Sequence, residues 1–503
     1  MAANVNKICL SHALSKIRRK DIKVASGDPI VGGGLGLQTT NEIQPNSVVL
    51  QVPTGLTFSV SNSKFDSNSQ VESYFKNNAK AYSGSPWWAK LSADLYCCDK
   101  IDSNRRTGKG DETVDMRPWL DSLPREFDTP IHWSEEEREA LQYQPLNAMV
   151  AAQEKAYKTA YGILKEDIDS SSPMSQWSYE DFLWGCDCAR SRAFSGAYSG
   201  SAFDVKPYAL TILLVAAYLG LHLGTFEQAS NGAGLVFCGS VLKDFVFPKL
   251  FKSKKYIICP FIDMANHVGV NEDGSVAFEY FADGYSLSSR TDKSIEKGKE
   301  VFISYGPRSN DALLQLYGFS EENNAHDVYV MPPLREWDIA SLEEACGRKF
   351  QAGRLQKLER AGLLGGSSLG KEADDGEDAL EEGVLNRGRG VVVSRAAGID
   401  PAIMTALRAL VSSEEEWMAS GEAVGNFVTE NSGGKENERV ARIAAQRALG
   451  LELESKATTL EEDEESWKKR DALGLSSKEI LALQFRIEKK KLLKETMFAL
   501  SLM

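Results

Sequence analysis

Cysteine is sparse in this sequence, eight in 503 residues, and none stands at the regular spacing of a disulfide framework. A stapled secreted scaffold is excluded on that ground, and a reducing compartment is expected. Metal-ligand spacing is missing too. Cys186 and Cys188 form a C-x-C and Cys97-Cys98 are adjacent, but a tetrahedral site needs four converging ligands, so no metal is expected. Basic charge is also short: 58 Lys+Arg stand against 71 Asp+Glu, a formal net charge of -13. A nucleic-acid binder concentrates basic residues on one face, so the expected partner is a protein and not a nucleic acid. Residues 1-20 carry Lys7, Lys16, Arg18, Arg19 and Lys20, with only Ile8 to Leu10 as an apolar stretch. They lack the continuous apolar core of a secretory signal and read as an N-terminal extension. A short transit peptide stays open, and the composition does not separate cytoplasm from plastid.

What is present is an ordinary globular pattern, 42% hydrophobic, long enough for several domains. Val48, Val49, Leu50 and Val52 follow the turn residues Pro45-Asn46 and read as a short strand ended by Pro53. Gly32, Gly33, Gly34 and Gly36 precede it. They fail the dinucleotide fingerprint, because strand-like rather than helical sequence follows. Two readings remain: a backbone that closely approaches a ligand, or a hairpin turn. From about residue 70 to 181 the pattern turns helical. Ser134 with Glu137 spells a capping box at the start of a long helical stretch interrupted near Pro145. Trp119 and Leu120 read as packing, with no chemistry assigned to Asp115–Pro124. Val276–Phe281 and Tyr285–Ser289 read as a hairpin, and Lys297-Gly298 turns the chain into a strand from Val301 ending at Tyr305. Gly365–Glu382 reads as disordered, within a stretch of about 365-390. Ser476 and Glu479 cap a final helix with Leu481, Phe485, Leu492, Thr496 and Ala499 on one face.

Four blocks carry chemistry: Gly32-Gly33-Gly34-Leu35-Gly36, Ser191-Arg192-Ala193-Phe194, Cys259 to His267 (Cys-Pro-Phe-Ile-Asp-Met-Ala-Asn-His), and Val301 to Phe319 with Tyr305-Gly306 and Tyr317-Gly318-Phe319. Together and in this order they resemble the cofactor and substrate site of the SET-domain methyltransferases, in particular the plant-type, non-histone group of Rubisco large-subunit lysine methyltransferases. The resemblance implies an α+β chain. A split SET β-fold over residues 21-330, with a helical insert at about 70-181 and an apolar inserted segment at about 200-255, precedes a mainly helical substrate-binding domain over 331-503. The histone-directed enzymes carry a cysteine cluster after the tyrosine; here only Cys346 follows Tyr305.

The resemblance also implies roles. Gly33, Gly34, Leu35, Gly36, Arg192, Asn266, His267, Tyr317 and Phe319 are expected to bind S-adenosylmethionine. Asn266 would act through its amide and His267 mainly through its backbone. Tyr305 is expected to be the catalytic residue, and Phe194, Asp263, Phe278, Tyr305 and Tyr317 to line the substrate channel. Arg192 would pair with a carboxylate, either that of the cofactor's methionine part or one within the protein. Many relatives carry an acidic residue where Gly33 stands, and a tyrosine is usual near Phe278 or Tyr280. The expected reaction is methyl transfer to the lysine of a non-histone protein by a monomer. Two alternatives are a histidine target, since Gly318 to Asp327 is also similar to the actin-histidine branch, and a non-catalytic SET-derived scaffold. Pro207 to Phe226 holds no charged residue and meets the length of a membrane span. Arg192 and Asn266 must meet in one site, however, and a return span between Asn231 and Leu242 is too short. A buried hairpin helix is therefore favoured over membrane contact.

Overall fold

A computed structural model of the chain describes residues 18–19, 21–26, 34–61, 70–76, 81–106, 113–196, 255–268, 276–281, 284–289, 294–364, 390–429 and 433–502. The apolar run Pro207 to Phe226, the acidic stretch Gly365–Glu382 and Gly33 lie outside the described residues. Among those described, no helix is long and apolar enough to cross a membrane.

The N-terminal strands β1 (Ile22–Ser26), β2 (Leu35–Thr39), β3 (Val48–Pro53) and β4 (Phe58–Ser61) find few partners among themselves. Their ladders are completed by strands that follow residue 190: β5 (Ala193–Gly196), β6 (Lys255–Ile258), β7 (Asn266–His267), β8 (Val276–Phe281), β9 (Gly284–Ser289) and β10 (Glu300–Ile303). One sheet runs Arg18–Arg19, β3, β9, β8; a second runs β7, β10, β2, β1; a third runs β4, β6, β5. The β8–β9 hairpin and the strand ending at Pro53 form as the sequence predicts. β3 buries Val49, Leu50 and Val52, each contributing roughly 1.5–3 kcal/mol by burial. β10, in contrast, stops at Ile303, so Tyr305 stands beyond the strand rather than at its end. Gly306, at φ +89°, and Pro307 turn the chain there, because glycine tolerates that conformation and proline donates no ladder hydrogen bond.

Between the two sets of strands, α1 (Trp87–Tyr96), α2 (Gln144–Asp167) and α3 (Tyr179–Arg192) pack through Trp88, Tyr157 and Phe182. Gly185 lets α1 close on α3, since a Cβ there would sit 2.8 Å from Ser92 Cα. Ser92 Oγ donates to Phe182 O at 2.7 Å across the same contact. The Ser134–Glu137 capping box is present, but it starts only the short helix Glu135–Glu139. Pro145 lies in the first turn of α2, where its missing N–H costs nothing, so the interruption is a new helix start. α3 runs straight into β5, which sets Arg192 at the junction.

α4 (Asn310–Tyr317) is capped by Ser309 and ends at Gly318. β11 (Val328–Met331) pairs with β12 (Val391–Ser394), which pairs with β13 (Gly398–Ile399). The boundary expected at residue 330 thus falls inside a strand whose partner belongs to the C-terminal third. Helices α5 (Pro401–Val411), α6 (Gly434–Glu454) and α7 (Ser477–Leu502) are the longest described helices of that third. Ser476 and Glu479 exchange backbone and side-chain bonds at the start of α7, and Phe485, Leu492 and Thr496 are buried, as expected. Glu488, Lys489 and Lys490 are buried on the same helix, which an apolar pattern cannot foresee.

Candidate active site

The turn from β6 to β7 carries Cys259 to Asn266. Phe261 adopts φ +72°, costing an aromatic residue of order 1–3 kcal/mol. The turn is held by Asp263 N donating to Cys259 O at 2.9 Å. It buries the Asp263 carboxylate, which accepts from Arg192 Nη1 at 3.0 Å and from Trp119 Nε1 at 3.2 and 3.3 Å. Burial pushes this carboxyl above its ordinary range, while Arg192 and the Trp119 indole pull against that shift. Arg192 thus pairs with a carboxylate within the protein, that of Asp263. Trp119 is also more than packing: it is a donor to the site from a segment to which the sequence assigned no chemistry.

Asn266 and His267 form β7, paired in parallel with Phe302 and Ile303. Asn266 Nδ2 donates to Glu300 Oε1 at 2.7 Å, and this pair lies over Gly36. A Cβ at Gly36 would overlap Glu300 Oε1 and come within 2.9 Å of Asn266 Nδ2. Gly36 is thus needed for a close approach within a strand, and Gly34, at φ +75°, turns the chain into it. The crowding at Gly36 comes from the side chains of Glu300 and Asn266, while a Cβ at Gly34 would meet no atom within 4 Å.

His267 is buried. Its Nδ1 accepts from the Tyr305 backbone N–H at 3.1 Å, which leaves the ring proton to Nε2, 3.7 Å from Glu321 Oε2. Its ring stacks on that of Tyr305, with centroids 4.9 Å apart. The side chain of His267 therefore positions Tyr305, a role beyond the backbone one expected. Tyr305 Oη donates to Ala265 O at 3.3 Å. Burial, with Tyr317 alongside, pushes the Tyr305 phenol well above its ordinary value. Tyr317 stacks on the Tyr305 ring, and Arg308 lies over the Tyr317 ring at 5.6 Å.

A cleft of about 340 Å³ gathers Gly34, Leu35, Arg192, Asp263, Asn266, Tyr305, Tyr317 and Phe319, within the usual size of a small-molecule site. The remaining wall, Ser122, Pro124 and Glu126 to Thr129, comes from the helical insert, which the resemblance implies walls the substrate groove, but none of these residues was singled out from the sequence. Gly318 admits that wall: it has φ +75°, and a Cβ there would sit 3.3 Å from Asp128 O. Phe194 and Phe278 are not among the lining residues. They stack on each other at 4.1 Å, and Phe278 stacks on Tyr285 at 5.5 Å. Among the described residues, no group of acidic, histidine or cysteine side chains could hold a metal ion.

Strands contributed from both ends of a helical insert, closing on an Asn-His strand and a tyrosine beyond it, make this the split SET fold. A solved structure of the SET domain of LSMT bound to lysine and AdoHcy matches with a TM-score of 0.58 at 17% identity, covering 100% of this chain and 91% of that one. Residues 350–493 match the family model described as Rubisco LSMT substrate-binding, so the resemblance is to the Rubisco large-subunit methyltransferase group. The pea chloroplastic Rubisco large-subunit N-methyltransferase is 24% identical over 312 residues, 60% of this chain and 49% of that protein. The Drosophila melanogaster actin-histidine N-methyltransferase is 23% identical over 296 residues, 59% of this chain and 45% of that protein. The chain thus spans about half the length of these curated relatives.

Proposed function

We propose that this chain is an S-adenosylmethionine-dependent protein-lysine N-methyltransferase acting on a non-histone protein. The observation that carries the proposal is the convergence of residues from all four blocks on one cleft lined in part by Tyr305, whose hydroxyl donates to the Ala265 carbonyl. The residues fit the cofactor. Gly34 and Leu35 offer backbone, Gly36 leaves no room for a side chain, Asn266 offers an amide, and Arg192 Nε is a buried donor that finds no hydrogen-bond partner among the described residues. When bound, S-adenosylmethionine supplies an electrophilic methyl group on a sulfonium.

The chain's own residues would align and desolvate. Tyr305, clamped between His267 and Tyr317, presents a fixed hydroxyl, and positioning of this kind is worth several kcal/mol of barrier. A lysine amine with an ordinary pKa near 10.4 is almost wholly protonated at neutral pH, and aromatic walls that exclude water favour its neutral form. Glu126 and Asp128, exposed carboxylates of the cleft wall, attract a cationic side chain to the entrance. That attraction supports lysine over imidazole, which is mostly neutral at pH 7.4.

The histidine reading keeps its support in the actin-histidine relative, nearly as similar in sequence as the pea enzyme. Labelling a protein extract with isotopic S-adenosylmethionine and the wild-type or Tyr305→Phe protein, followed by mass spectrometry, tests the proposal. Label on lysine, dependent on Tyr305, is the expected result. Label confined to imidazole would replace lysine by histidine. No label, together with no heat of cofactor binding, would leave a scaffold protein.

A further inference from the structure

On α7, the side chain of Lys489 is buried and makes three bonds: to Asp311 Oδ2 at 2.7 Å, Asp327 Oδ1 at 2.8 Å and Val328 O at 2.6 Å. An ammonium has three donors, so its valence is filled. Asp327 also accepts from Asn310 N at 2.9 Å and from Asn310 Nδ2 at 3.3 Å. Asn324 Nδ2 bridges Asn310 Oδ1 and the Arg308 carbonyl at 3.1 and 2.8 Å, and Arg308 Nε donates to Tyr305 O at 3.0 Å. An unbroken set of hydrogen bonds therefore joins the C-terminal helix to the backbone of Tyr305. Asp311 sits in the first turn of α4, whose last residue is Tyr317. One short rigid helix thus connects the lysine's carboxylate to the ring against which Tyr305 stacks.

We infer that Lys489 is a positioning residue of the active site, fixing from the C-terminal helix both the Tyr305 backbone and the α4 helix that carries Tyr317. The role in transfer rests on the methyltransferase reading above; the role in holding the segment does not. It makes the C-terminal helical region part of the reaction machinery rather than only a platform for docking.

Two variants test this, Lys489→Met and the milder Asp311→Asn, which keeps the Lys489 bond to Asp327. Hydrogen exchange is followed at residues 304–318 and, as a control, at the strand Val48–Pro53. The expected result is exchange about tenfold faster at 304–318 with the control unchanged. In transfer assays kcat should fall about tenfold, while the Kd for S-adenosylmethionine stays within about threefold. Unchanged exchange at 304–318, or acceleration shared with the control strand, overturns the inference, since the second outcome is mere loss of stability. If Lys489→Met does not fold, Asp311→Asn decides by the same measurements. A wild-type protein that neither binds the cofactor nor transfers methyl groups defeats the functional reading instead, and exchange still decides whether Lys489 holds the tyrosines.

Discussion

The rings of Tyr305 and Tyr317 stack with centroids 4.7 Å apart and planes inclined by 25°. On its other side Tyr305 faces His267. A ring held between two others has little rotational freedom, so its hydroxyl is fixed in advance.

Removing only that hydroxyl should therefore separate binding from chemistry. Tyr305→Phe keeps the stack and loses the bond to Ala265 O. The expected loss is about 10²–10³ in kcat, the range for a single preorganised donor, with cofactor affinity nearly unchanged by calorimetry. A variant with wild-type kcat would remove Tyr305 from the reaction.

Gly36→Ala tests the crowding under Asn266. The added methyl group must displace either the Glu300 carboxylate or the Asn266 amide, and overpacking of this kind costs about 1–3 kcal/mol. Reduced thermal stability and weaker S-adenosylmethionine binding are both expected. Gly34→Ala should harm stability through backbone strain instead, since its Cβ would meet no atom within 4 Å but its φ is +75°.

Trp119→Phe keeps most of the buried ring and deletes the indole donor to Asp263. A buried carboxylate deprived of one partner should destabilise the fold by roughly 1–3 kcal/mol, measurable by denaturant titration. Among the described residues, Arg192 would then be the remaining side-chain donor to Asp263, and kcat/KM should fall with stability. Full activity and stability would return Trp119 to simple packing.

The pH profile should carry no limb from the phenol of Tyr305 below pH 10. Burial raises its pKa above the ordinary value of 10, so below pH 10 it stays neutral, the form that donates to Ala265 O. The substrate amine, in contrast, gains its reactive neutral form as pH rises toward about 10.4. kcat/KM should therefore climb from pH 7 to 9.5 without a falling limb from this tyrosine. Stability moves in the opposite direction. A raised phenol pKa contributes stability that is present below pH 10 and is lost as pH rises through the folded value, so melting temperatures should decline on the alkaline side. A descending activity limb below pH 9, absent in Tyr305→Phe, would contradict the assignment.

Much of this site was legible because its residues come in short blocks whose chemistry is local. The glycines announce close backbone approach, Asn266-His267 and Tyr305-Gly306 stand beside readable strands, and the hairpin before them has its turn residues. The wall from Ser122 to Thr129 was not legible, because irregular backbone between Leu120 and Pro130 has neither periodicity nor a reactive motif. Only the distance from Trp119 Nε1 to Asp263 reveals what that segment does. Charge alone could say that Arg192 wants a carboxylate, but not that Asp263, 71 residues further on, would lie within hydrogen-bond reach. Likewise, burial of three consecutive charged residues on α7 has no apolar signal; it shows only where Lys489 bonds to Val328 of β11 and Asp311 of α4, and Lys490 to Gln142.

The pairing of β2 with β10 has a consequence for biosynthesis. Gln38 and Gly298, hydrogen-bonded at that junction, are 260 residues apart. At about 5–20 residues per second of translation, the first strands leave the ribosome roughly 13 to 50 s before their partners exist. During that interval their edges are open to wrong neighbours. Escort by a chaperone until the segment around residue 300 emerges would therefore govern how much of this protein a cell can make.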